Sequence, residues 1–111
     1  MSKATSKKIT IDRLEALEKK HGIELNLNAL EVKDEYSTNY SAHIFAEVIG
    51  DLEYDIKFIC NIYNLKGELI GVEQSTSISK ENFDGIDNFA VELDAPVGER
   101  IAKVRVYPQK Y

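Results

Sequence analysis

From Ile23 onward the apolar residues recur at every second position, in short runs broken by turn residues, and this period limits the fold more than any other feature. A strand sends alternate side chains to opposite faces, so each such run presents one apolar face to a core. Residues 24–33 carry Leu25 and Leu27 in phase, residues 40–50 carry Ile44, Ala46 and Val48, and residues 54–63 carry Ile56, Phe58, Cys60 and Ile62. Residues 68–79 form a returning strand, Phe89, Val91 and Leu93 alternate in the next, and Ala102, Val104 and Val106 alternate in residues 100–107. The connections at 34–39, 51–53, 64–67, 80–87 and 95–98 are polar or rich in Gly and Pro. Asn64-Leu65-Lys66-Gly67 has the pattern of a type I turn closed by a left-handed glycine, a hairpin with a G1 bulge. These connections are too short for parallel crossovers. A mainly antiparallel β-sandwich or small barrel is therefore expected, with residues 40–50 turning through 51–53 to pair with 54–63.

The first 22 residues break the pattern. Residues 1–9 are polar and aperiodic and read as a disordered tail. Residues 10–22 read as a short helix: Asp12 and Glu15 have capping-box spacing, and Ile11, Leu14 and Leu17 form a narrow stripe. Lys19, Lys20 and His21 suit the C-terminal dipole, and Gly22 suits the stop. Residues 23–111 then form the sandwich domain. A chain of 111 residues has room for one core of ordinary size.

Composition narrows the function classes. No run reaches the roughly 18 apolar residues of a membrane span, and the N-terminus lacks the apolar stretch of a secretory signal. The single cysteine, Cys60, suits a reducing compartment, so a cytoplasmic location is expected, although a domain cut from a larger or exported protein reads the same way. The net charge of −5 argues against nucleic-acid binding, since phosphate contact wants a positive surface.

At residues 54–71 the sequence resembles the FxLYD domain, a bacterial and archaeal family with an immunoglobulin-like sandwich. Ile62-Tyr63-Asn64 stands where the family has Leu-Tyr-Asp before a glycine hairpin, and Leu65-Lys66-Gly67-Glu68-Leu69-Ile70-Gly71 follows. Val48-Ile49-Gly50 is similar to the family's valine–glycine strand end, and residues 89–93 and 102–106 resemble its closing strands. Cys60 takes the place of the family's Phe, Asn64 replaces the Asp, and the helix at 10–22 lies outside the pattern. The likeness covers residues 40–107. It implies an immunoglobulin-like sandwich of about six or seven strands with a short N-terminal helix added, used as an accessory or binding module without catalysis.

Chemistry-bearing residues are sparse. His21 and His43 are the only imidazoles. His43 and Glu47 would stand about 13 Å apart on an extended strand, too far to share an ion. Cys60 falls in phase with Ile56, Phe58 and Ile62, where burial would raise its pKa and suppress nucleophilic use. No enzyme activity and no cofactor are expected. Asp51, Asp55, Asp84 and Asp87 cluster at turns as candidate oxygen ligands for Ca²⁺, a role that competes with the ordinary preference of Asp for turns. Tyr36, Tyr40 and Tyr54 are candidate platforms for a polar small molecule such as a sugar.

Two-sided apolarity is the most informative oddity. Phe45 and Ile49 lie out of phase with the core positions of their strand, and Ile59 and Tyr63 lie out of phase in the next. If these two strands pair, the four residues form one outer interaction face, to be covered by the N-terminal helix, by a second copy of the chain or by another protein. A binding or assembly module using that face, or a free sheet edge, is the leading expectation. Ca²⁺ or a small polar ligand at the acidic loops is the alternative.

Overall fold

The computed structural model describes residues 4–34, 36 and 38–111. The first sheet contains β1 (Ala4–Lys8), β3 (Ile23–Asp34), β4 (Ser41–Gly50) and β7 (Ile86–Asp94), in the order β1-β3-β4-β7. The second contains β2 (Thr10–Arg13), β5 (Ile56–Tyr63), β6 (Leu69–Gln74) and β8 (Lys103–Lys110), in the order β2-β8-β5-β6. One short helix, α1 (Glu15–Lys20), links β2 to β3. The chain is mainly β, two packed sheets with the layer architecture of an immunoglobulin-like sandwich.

The alternation read from the sequence builds the core. In β4, Ala42, Ile44, Ala46 and Val48 are buried while the intervening side chains point outward. Ile56, Phe58, Cys60 and Ile62 of β5 meet them from the other sheet, together with Val104 and Val106 of β8. Phe58 and Phe89 stack across the interior at 4.6 Å between ring centroids, tying β5 of one sheet to β7 of the other. The hairpin at 64–67 forms as expected: Gly67 has φ +79, its N–H donates to the Asn64 carbonyl, and the register shifts beside Tyr63. Asn64 is buried, its Oδ1 accepting from the Lys66 and Glu68 amides. Its Nδ2 donates to Glu68 and Glu99, which an Asp in that place would not do.

Four expectations are corrected. Residues 1–9 do not all form a tail, because residues 4–8 pair antiparallel with residues 30–34 as β1. An edge strand is held by backbone bonds and needs little apolar sequence, so composition gave no signal. The helix does not span residues 10–22. Residues 10–13 form β2, which runs parallel to β8, and only Glu15–Lys20 is helical. Ile11 packs against the core from β2 and Asp12 binds Arg105, so the capping-box pair is not used. Among the described residues the strands number eight, because the N-terminal strand splits between the sheets around the buried pivot Ile9.

β4 and β5 are not hairpin partners, because β4 pairs with β3 and β7 while β5 pairs with β6 and β8. Gly50 carries the crossing at φ +145, and a Cβ there would stand 2.2 Å from the Gly22 carbonyl oxygen. The Gly50 and Asp51 amides donate to Gly85 and Gly22, and Leu52 buries itself in the core. The chain is thereby folded over the end of the sandwich into the opposite sheet.

Two buried carboxylates seal the split strand. Once the chain leaves the first sheet at Ile9, the β1 side of β3 has no strand partner at Leu25; Glu18 of α1 accepts the Leu25 N–H there and binds Arg13 at 2.6 Å. Glu31, 4% exposed, binds Arg100 at 2.7 Å and accepts the Ile101 N–H, which anchors the connection between β7 and β8. Among the described residues no helix is long and apolar enough to cross a membrane.

Candidate functional site

On the outer surface of the first sheet the register defines rows of neighbours. Asn28, Phe45 and Ala90 lie side by side, then Asn26, Glu47 and Asn88, then Glu24, Ile49 and Ile86. Period two sends Phe45 outward because Ile44 and Ala46 on either side are committed to the core. Its flanking side chains are short, so the ring stays 47% exposed on a central strand, and Ile49 and Ile86 are exposed two rows further along. Phe45, Asn26, Asn28, Glu47, Asn88 and Ala90 line a shallow groove of about 550 Å³. Asn26 Nδ2 donates to Glu47 at 2.8 Å.

The outer surface of the second sheet is built differently. Ile59 stands in register with Gln74 and Tyr107 and is buried, 7% exposed. Tyr63 neighbours Leu69 and Lys103, and the Lys103 and Arg105 cations sit over its ring at 4.8 and 5.4 Å. The four residues expected to form one face are therefore split two and two between opposite surfaces of the sandwich. Ile86 joins Phe45 and Ile49 although the sequence placed it in a loop. Its position out of phase with Phe89, Val91 and Leu93 was the available signal. The α1 helix packs against β3 and β8, so it does not cover the Phe45 row.

The other candidates find ordinary partners. His21 Nδ1 bonds the Tyr54 hydroxyl, and burial followed by the Lys20 charge lowers its pKa below the usual imidazole value. His43 lies 3.5 Å from Glu92 on the outer face. Arg100 sits 4.1 Å over the Tyr40 ring and Lys110 4.9 Å over Tyr54, while Tyr36 is exposed. Asp55 accepts the Lys80 N–H and Asp87 the Asn88 N–H. Among the described residues Asp51, Asp55, Asp84 and Asp87 are not drawn into any group of three metal-ligating side chains.

Cys60 is fully buried, and burial, with a smaller contribution from Glu73, pushes its thiol up to about 12. In native buffer it is expected to resist a thiol-reactive chromophore and to react at once in denaturant; immediate native labelling would contradict its placement. The exposed edges of β6 and β7 lie side by side without pairing, and Glu73 and Glu92 charge the cleft between them.

No protein-family model, curated protein or solved structure matches the chain.

Proposed function

We propose that this protein is a non-catalytic recognition module that engages a protein partner through the outer face of its first sheet. The observation that carries this reading is Phe45, an aromatic ring left half exposed in the middle of a four-stranded sheet, with Ile49 and Ile86 exposed two rows further along the same surface. A ring exposed in this way adds nothing to the core, yet it offers the large, rigid contact area that interface centres favour. The buried Cys60 and the tyrosine-bound His21 support a role outside catalysis, and the unpaired thiol suits a cytoplasmic setting. The FxLYD-like pattern over residues 40–107 accords with a binding module.

Phe45→Glu is expected to leave the thermal midpoint within about 2 °C of the parent, because the ring is exposed and surface changes shift stability by about 0.5 kcal/mol or less. A photo-crosslinking residue placed at 45 in cells should give a discrete protein adduct, and one placed at Leu65, which is 84% exposed on the hairpin tip, should not. Adducts at Leu65 but not at 45 would move the contact surface elsewhere.

A further inference from the structure

The two broad outer surfaces of the sandwich carry opposite charge. The first sheet shows Glu24, Glu47, Glu92 and Asp94 in its outward rows, and among the described residues Lys8 is the one lysine in register with them. On the second sheet the charged outward positions of β5 and β8 are Lys57, Lys103 and Arg105, and among the described residues the one carboxylate in register is Asp12, already bonded to Arg105. Each surface also has exposed apolar side chains, Phe45, Ile49 and Ile86 on one and Leu69 and Val72 on the other. The outward positions of the second sheet are thus net basic, and those of the first are net acidic.

We infer that the partner of the Phe45 surface is a second copy of this chain, which presents its cationic second sheet, so that molecules stack front to back. This rests on the Phe45 surface being the contact face, and it names the occupant. Charge complementarity selects the orientation. Two Phe45 surfaces meeting face to face would set one acidic surface against another, while front-to-back stacking sets Glu24 and Glu47 against the surface that carries Lys57 and Lys103. The slab measures 43 × 32 × 19 Å, so its broad surfaces are large enough for the roughly 800 Å² per partner of a standard interface. Because the two contacting surfaces differ and lie on opposite sides, the contact is heterologous and does not close on itself. Stacking therefore continues into open chains.

The test is solution molar mass by light scattering on the whole chain. At about 20 mM salt the mass should rise with concentration past a dimer without reaching a plateau, and at about 0.5 M salt it should fall towards 12.6 kDa. Phe45→Glu blocks one surface, and Lys103→Glu combined with Val72→Glu blocks the other. Each variant alone should be monomeric, and an equimolar mixture should form a one-to-one dimer, since each retains the surface the other lacks. Circular dichroism checks that both variants fold. If one does not, the charge exchange Glu47→Lys with Lys103→Glu takes its place, and it should stack with itself while failing to stack with the parent. A parent that stays monomeric to about 1 mM overturns the inference, as does a mixture that stays monomeric or a mass that plateaus at a dimer. In those cases a crosslinked adduct at residue 45 of some other mass would still uphold the recognition surface, so the two readings fail separately.

Discussion

Replacing Phe58 with alanine is expected to lower the unfolding free energy by about 3–5 kcal/mol, the range for deleting a large aromatic side chain from a packed core. The residue is fully buried in β5, and its ring stacks on Phe89 of the opposite sheet. The truncation therefore removes a contact that joins the two layers as well as opening a cavity. Neighbours on β4 and β8 are held by strand pairing and cannot collapse into the space, which places the effect toward the upper end of the range. Urea unfolding followed by circular dichroism would measure it. A loss below about 1 kcal/mol would mean that the layers are not joined through this pair. Phe58→Leu, which keeps most of the volume, should recover more than half of the loss.

Arg100→Met is expected to cost about 2–3 kcal/mol at neutral pH and to alter how stability depends on pH. In the parent, burial pushes the Glu31 carboxyl up, but the Arg100 hydrogen bonds, the Ile101 amide and the Arg100 charge together outweigh it and hold the pKa below the usual carboxylate value. A lowered folded-state pKa contributes stability that is present above the unfolded pKa and is lost as pH falls through the folded one. Without Arg100 the upward push of burial is left with less opposition, and an almost fully buried carboxylate must stay charged without its partner. The deficit relative to the parent should then shrink as the pH is lowered and Glu31 takes up a proton. Half of the Arg100 side chain faces solvent, so the penalty falls short of that for a fully enclosed pair. Melting curves of both proteins between about pH 7 and pH 4 measure this. A deficit that stays constant over that interval would assign the loss to packing against Tyr40 alone.

The alternation of apolar residues determined much of this protein without any tertiary information. It set the burial of β4, β5, β7 and β8, and the 64–67 turn set the hairpin between β5 and β6. It also singled out Phe45 as an outward aromatic, because phase within a strand is a local property. Which strands pair is not local. Residues 10–13 lie parallel to β8 although more than ninety positions separate them in the chain, and residues 4–8 pair as a strand with little apolar content, so neither left a period to read. The same limit governed the candidate site. Phe45, Ile49, Ile59 and Tyr63 were each correctly out of phase with the core. Whether they shared a surface depended on a connection that crosses between sheets at Gly50 and buries Leu52, and the tertiary structure decided that they do not. A one-dimensional pattern fixes which side of its own strand a residue takes. Only the packing of the layers fixes which side of the molecule that becomes.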